Sequence, residues 1–342
     1  MKVKPVVDSL ERRGARVHIV HTGQHYCDSM SAVFFEELGL RPPDHFLGVG
    51  SGTHGEQTAG VILALEPVVH DLKPDVVVVV GDVNSTLAAA LVAAKACVPV
   101  AHVEAGLRSG DWTMPEEVNR VVTDRVSTHL FAPSADAVDN LLGEGVARTR
   151  IHLVGNVMID TLLSNLDRAC RRDVLRDLGL RPHEYGLVTL HRPGNVDDPT
   201  TLRTLVDALR AVSARCPLVF PAHPRTKARL DAMSRLHDLC VIDPLGYLDF
   251  VALEASARLV LTDSGGVQEE TTVLGVPCLT LRETTERPIT VTEGTNTVVG
   301  RDPATIEATV RRVLSDGVPP RRPALWDGHA GERIAEVLVG GG

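Results

Sequence analysis

The sequence predicts an α/β protein of two doubly wound, Rossmann-like domains, each a parallel sheet flanked by helices. Three observations predict it. The chain has 342 residues, more than one ordinary core of about 100–200 residues accommodates. Short Val/Ile/Leu runs alternate with longer amphipathic stretches along its length, and that order builds parallel strands joined by right-handed crossovers. Near residue 165 the alternation breaks: residues 167–178 are rich in charge, and a new strand–helix series opens at Tyr185. The first domain is therefore expected at 1–165, joined by a returning C-terminal helix at about 326–342, and the second at 166–325.

The clearest strand is 75–80, where Asp75 precedes five valines and Gly81-Asp82 follows. A run apolar on both faces suits an interior strand of a parallel sheet. The first domain should also hold strands at 17–21, 98–103, 129–132 and 151–154, and helices at 57–72, 85–96, 116–127 and 156–166. In the second, strands are expected at 186–190, 218–221, 239–242, 258–262 and 277–281, with helices at 200–214 and 267–274. A last helix at about 331–339 crosses back to the first domain.

Composition excludes several classes of function. A formal charge of −9 leaves no basic stripe for nucleic acid. Aromatic residues are 3% of the chain, too few for base-stacking platforms. Cys27, Cys97, Cys170, Cys216, Cys240 and Cys278 are scattered without a Cys-x-x-Cys pair, and are read as reduced core thiols. The N-terminal segment has no apolar signal core, and no run approaches a membrane span of about 20 residues. A soluble, cytoplasmic protein with no membrane partner is expected.

Ligands of open α/β sheets sit beyond the carboxyl ends of the strands. Asp82-Val83-Asn84 follows one strand, Glu104-Ala105-Gly106-Leu107-Arg108 follows another, and Pro115-Glu116-Glu117-Val118-Asn119-Arg120 opens a helix. Carboxylates crowded at one place acquire separated pKa values, so one serves as acid and another as base. Each has a plainer reading too. Glu117 is an ordinary first-turn acid favoured by the helix dipole, and Asp82 is a possible cap for the helix after it. Glu104, directly continuing an apolar strand, has no capping job. In the second domain His191-Arg192 stands at a strand end, and Asp263-Ser264-Gly265-Gly266 makes a strand-to-helix turn with Glu270 a turn further on. Small residues at a helix N-terminus let backbone N–H groups approach a phosphate. Together these favour a nucleotide diphosphate.

Two other signals are set aside. Gly50-Ser51-Gly52-Thr53-His54-Gly55 fits G-x-G-x-x-G, but the strand before it is barely a strand, so it reads as a mobile loop rather than a nicotinamide site. The spacings His21…His25 and His102…Glu104 lack a third ligand nearby, and no catalytic metal is expected.

Taken together, Thr22-Gly-Gln-His25, Gly81-Asp82, His102-Val-Glu-Ala-Gly-Leu-Arg108, the 115–120 stretch, Gly155-Asn156, His191-Arg192, Thr262-Asp-Ser-Gly-Gly-Val-Gln-Glu-Glu270 and Thr285-Glu-Arg-Pro288 run in order along the chain. In this the sequence resembles the non-hydrolysing UDP-N-acetylglucosamine 2-epimerases. The resemblance implies a fold similar to the GT-B glycosyltransferases, with the UDP-sugar in an interdomain cleft, a homodimer, and no cofactor. It implies elimination of UDP to 2-acetamidoglucal and re-addition from the other face. By position it makes Asp82, Glu104, Glu116 and His191 the catalytic candidates, and it leaves open which acid takes the carbon 2 proton. It gives Arg192, Ser264, Gly265 and Gly266 to the diphosphate, Glu270 to the ribose and Phe250 to the uracil. Lys2, Gln57 and Arg120 join the substrate-binding set, Arg120 by positioning the acids or the sugar.

Departures from the family pattern carry expectations of their own. Relatives begin with a strand and a Gly-Thr-Arg-Pro-Glu loop ahead of the segment matching residues 2–5, so this chain is expected to lack that strand and to lose stability and activity. Pro193-Gly194-Asn195 follows His191-Arg192 where x-Glu-Asn is frequent, removing one acidic contact. Some relatives carry a second, activating UDP-N-acetylglucosamine site at positions matching Gln24, Cys27, Glu56, Arg192 and His223. An acid at Glu56 in place of a cation repels a diphosphate, so no such activation is expected. The rival readings are a hydrolysing relative that releases UDP and N-acetylmannosamine, a non-catalytic UDP-sugar binder, and a glycosyltransferase.

Overall fold

The computed structural model describes residues 1–23, 37–231, 233 and 239–340. Gln24, His25 and Cys27, named above, lie outside them. The chain divides into two compact units, one of Met1–Thr161 with Ala324–Gly342 and one of Leu162–Pro323. The division falls inside the helix Val157–Cys170.

In the first unit β1 (Val20–His21) and β2 (His45–Phe46) form a short parallel pair. A separate four-stranded parallel sheet runs β3 (Val77–Val80), β4 (Val100–Val103), β5 (His129–Ala132) and β6 (Ile151–Leu153) in that order. Valine favours these strands because its branched side chain packs well on a pleated surface. Val103 and Phe131 pack with Val6, Leu10, Ile334 and Ala335, so the helices Val3–Arg12 and Ala330–Val339 close one face. The two helices approach so closely that a Cβ at Gly331 would lie 2.5 Å from the Pro5 carbonyl oxygen.

Asp160 fixes the start of the returning helix. Its two carboxyl oxygens accept the amides of Ala330 and Gly331 at 3.1 and 2.7 Å. These are orphan donors of the first helical turn. Asp160→Ala should therefore cost about 1–3 kcal/mol, read as a lower midpoint in chemical denaturation. An unchanged midpoint would show that other contacts seat the helix.

The second unit holds a six-stranded parallel sheet of β7 (Gly186–Thr189), β8 (Leu218–Pro221), β9 (Cys240–Ile242), β10 (Leu259–Thr262), β11 (Cys278–Thr280) and β12 (Asn296–Val298). Its spatial order is β12-β11-β10-β7-β8-β9. Counted within the unit this is the doubly wound 3-2-1-4-5-6 arrangement, and the order reverses between β7 and β10. Leu187 and Val260 lie in register there, both fully buried.

The cysteine expectation fails in part. The five described cysteines are free, but Cys97, Cys170 and Cys240 are exposed. Cys97 sits in a left-handed turn after a helix, Cys170 ends a helix and Cys240 opens the edge strand β9. Each lies at an element boundary, where its apolar sequence neighbours do not enclose it. No described helix is long and apolar enough to cross a membrane.

Candidate active site

Unit 1 gathers its polar residues beyond the carboxyl ends of β3 and β4. Glu104 follows β4 directly, only 3% exposed and held at φ +68. That left-handed backbone is uncommon for a residue with a side chain and marks a position fixed by its surroundings. Lys2 Nζ donates to Glu104 Oε2 at 2.5 Å. Gly81, at φ +75, makes room for the pair: a Cβ there would lie 3.3 Å from Glu104 Oε2 and 3.7 Å from Lys2 Nζ.

A second ion pair adjoins it in the chain. Arg120, 2% exposed, donates to Asp82 and to Glu117 Oε2, the latter at 2.6 Å. Asp82 therefore does not cap the helix that follows, whose N-cap is Val83 with no side-chain cap bond. Glu117 also accepts the amides of Ser109 and Gly110, each at 2.9 Å, and so pins the loop from β4 to its helix. Asn119 donates to the Asp82 carbonyl and to Asn84, and Asn84 donates to Gln57 at 2.8 Å. Glu116 opens the helix Pro115–Val126 half-buried, and among the described residues its side chain enters no ion pair.

Beneath these groups His102 is fully buried, with Nδ1 2.6 Å from Asp124 and Nε2 2.8 Å from the Gly81 carbonyl. Asp124 also accepts from the Gly106 amide and pairs with Arg108. Burial opposes ionisation of Asp124, but His102 and Arg108 outweigh it and hold the carboxyl below its ordinary range. The chain of contacts fixes the Gly81-Asp82 turn from below. His102, set aside above as a metal ligand, serves this turn through its hydrogen bonds. Among the described residues no group of His, Cys, Asp or Glu is placed to hold a metal.

In unit 2 the residues collect where the strand order reverses. Asp263 leaves β10 wholly buried and accepts the amides of His191 (3.1 Å) and Arg192 (3.0 Å), which follow β7. It also takes the Asn195 side chain at 3.0 Å, and His191 Nδ1 lies 3.0 Å from its other oxygen. Burial works against its charge, yet His191 and these amides keep Asp263 below the usual carboxylate range. Asn195, in the departing Pro-Gly-Asn segment, thus ties this turn together and receives Arg301 at 2.8 Å.

The helix Gly265–Leu274 starts at Ser264, whose hydroxyl makes no cap bond, with Gly265 and Gly266 half-buried. Its first-turn amides are therefore available to an anion. Arg192 reaches Glu286 at 3.4 Å. Burial would raise the Glu286 carboxyl, but Arg282 above all, with Arg192 and Arg287, brings it to about 2. Glu270 is buried and accepts the Tyr247 hydroxyl at 2.9 Å, and burial pushes its carboxyl up to about 7. Phe250 is half-buried on the helix Tyr247–Ala255, which also carries Tyr247. Thr285 donates to Gln268 at 2.6 Å and Arg287 to Glu269 at 2.5 Å, seating the 285–288 motif against the Gly265–Leu274 helix.

The Gly-rich segment at 50–55 is partly helical. Thr53 and Glu56 form a reciprocal capping box at the head of the helix His54–Leu72. Glu56, considered above for its charge toward a diphosphate, spends its carboxylate on that box. Sequence reasoning missed Asp124, Asn84 and Asn119, and gave Asp263 no role. Asp263 carried the signal that singled out Glu104, an acid directly continuing an apolar strand.

The model of the UDP-N-acetylglucosamine 2-epimerase family matches residues 8–339. A UDP-N-acetylglucosamine 2-epimerase of Methanocaldococcus jannaschii is 44% identical over 352 residues, covering 100% of this chain and 96% of that protein. A UDP-2,3-diacetamido-2,3-dideoxy-D-glucuronate 2-epimerase of Pseudomonas aeruginosa is 44% identical over 325 residues, covering 94% and 90%. Among solved structures, the M. jannaschii UDP-GlcNAc 2-epimerase in complex with UDP-GlcNAc and UDP superposes with a TM-score of 0.91 at 45% identity, covering 98% of this chain and 95% of that one. The Neisseria meningitidis enzyme bound to UDP-GlcNAc gives 0.91 at 30% identity, covering 99% and 96%.

Proposed function

Because this chain belongs to the UDP-N-acetylglucosamine 2-epimerase family, we propose that it interconverts UDP-N-acetylglucosamine and UDP-N-acetylmannosamine by inverting carbon 2. The observation that carries the reading is the Lys2–Glu104 pair together with the Asp82–Arg120–Glu117 bridge: buried Glu104 and half-buried Asp82 follow strand ends, Glu117 is buried in the first turn of its helix, and a cation is paired with each of the three. The carbon 2 proton has no neighbouring carbonyl and is poorly acidic. The proposed route therefore breaks the bond from carbon 1 to the UDP oxygen as a base takes that proton, leaving 2-acetamidoglucal with a carbon 1–carbon 2 double bond. Return of the UDP oxygen to carbon 1, with a proton delivered to the opposite face of carbon 2, completes the inversion.

In this reading Asp82, Glu104 and Glu116 supply the acid and base. His191 and Arg192, with the first-turn amides at Ser264, Gly265 and Gly266, take the charge that develops on the departing diphosphate. Glu270 holds the ribose, Phe250 faces the uracil, and Lys2, Gln57 and Arg120 orient the acids and the sugar. The protein works without a redox cofactor, as a cytoplasmic homodimer. The test is an NMR time course with UDP-N-acetylglucosamine in deuterated water. UDP-N-acetylmannosamine carrying deuterium at carbon 2 is the expected product. Free N-acetylmannosamine with UDP would replace this reading by the hydrolytic one, and unchanged substrate would replace it by a non-catalytic binder. Preferential turnover of UDP-2,3-diacetamido-2,3-dideoxy-D-glucuronate would keep the chemistry and change the sugar.

A further inference from the structure

Glu254 lies on the helix Tyr247–Ala255, seven residues beyond Tyr247 and so on the same helical face. It is 0% exposed, and neither of its carboxyl oxygens meets a hydrogen-bond partner. An isolated carboxylate in that position is strongly disfavoured, whereas a neutral carboxylic acid is tolerated. The titratable groups facing it come from three elements: Tyr247 on its own helix, Glu270 on Gly265–Leu274, and Cys278 on β11. Glu269, the charge next to Glu270, is already paired with Arg287.

The order of ionisation follows from this surrounding. Burial first, and the Glu270 charge second, push the Glu254 carboxyl well above the carboxylate range. Glu270 is raised less, to about 7, because the Tyr247 hydroxyl favours its charged form. Two interacting acids of this kind lose their protons in two steps that belong to the pair. Glu270 has a hydroxyl donor on its carboxylate and Glu254 has none on either oxygen, so Glu270 ionises first and Glu254 keeps its proton.

We propose that Glu254 is a positioning residue for nucleotide binding, forming with Tyr247 and Glu270 a buried unit that accepts a nucleoside diphosphate only while it holds a single carboxyl proton, on Glu254. The proposal rests on the reading of Glu270 as the ribose-holding acid. With that one proton in place, Glu270 is a carboxylate able to accept two ribose hydroxyls. With two, Glu270 is a neutral acid and loses an acceptor site. With none, two interacting buried charges repel each other and displace Glu270 from Tyr247.

The test is calorimetric titration of the full chain with UDP across neutral and alkaline pH. Wild-type affinity should fall toward acid and again toward alkali, each limb approaching about tenfold per pH unit, as a single linked proton requires. Glu254→Gln should keep the acid limb and lose the alkaline one. Glu254→Leu, which removes the titratable group without leaving an unpartnered polar atom in a buried place, should do the same and serves if the Gln variant folds poorly. Titration of the ligand itself is common to all variants and cancels in the comparison. Alkaline limbs that superimpose for wild type and both variants would overturn the proposal, provided Glu270→Gln still weakens UDP binding. UDP binding indifferent to Glu270→Gln would overturn the ribose reading instead.

Discussion

Glu104→Gln is expected to lower kcat by about 10²–10⁴-fold, the range that a positioned acid or base contributes, while UDP still binds. The substitution keeps the size and hydrogen-bonding shape of the side chain but removes its capacity to exchange a proton. Glu104 is buried at the end of β4 in a left-handed conformation, with Lys2 on one oxygen and Gly81 leaving space beside it. Such precise placement of a carboxylate is costly for a residue with only a structural role. A single-turnover assay in deuterated water separates the outcomes. Loss of both epimerisation and deuterium uptake, with intact UDP binding, places Glu104 at the proton transfer. Full deuterium uptake at the wild-type rate would sink that role and leave the transfer to Asp82 or Glu116.

Arg120→Met should have the largest effect on stability. Arg120 sits between Glu117 and Asp82 at 2% exposure, and Glu117 is equally buried. Removing the cation leaves Glu117 a buried carboxylate with two amide donors but no opposite charge, and breaking a buried pair in this way costs about 3–5 kcal/mol. Chemical denaturation of the variant should show that loss, and turnover should fall because Asp82 is no longer held. Adding Glu117→Gln to Arg120→Met should recover part of the stability by removing the stranded charge, without restoring turnover. A single variant as stable as wild type would show that solvent reaches Glu117 and that the bridge is not a fixed element.

The order of elements was largely legible. The five-valine run at 76–80 does form a strand, but β3 lies at the edge of its four-stranded sheet with only Val79 buried, so its expected interior place is corrected; an apolar run signals a strand without fixing its position in the sheet. The limits of 129–132 and 218–221 match the observed strands. β12 escaped because Asn296-Thr297-Val298 is short, polar and at a sheet edge, where no apolar run is required. The candidate site was legible where chemistry follows a strand directly, as at Asp82, Glu104 and His191. Partnerships were not. That Arg120 bridges Glu117 and Asp82, or that Asp124 reaches His102 across 22 residues, depends on where one helix lies against one turn. Spacing in sequence does not encode that distance. Asp263 shows the opposite failure, since its position was conspicuous but its three partners lie some 70 residues away along the chain.

The first unit is discontinuous: Ala324–Gly342 returns to it, and Asp160 anchors the helix that does so. On the ribosome this inverts the usual sequence of events. Domains generally fold as units, the N-terminal one first, as the chain emerges. Here the 162–323 segment is continuous and can consolidate as soon as it is clear of the exit tunnel. Its predecessor must wait for a helix made only after residue 323, with the apolar face around Val6, Leu10, Val103 and Phe131 uncovered meanwhile. The half that is translated first is completed last.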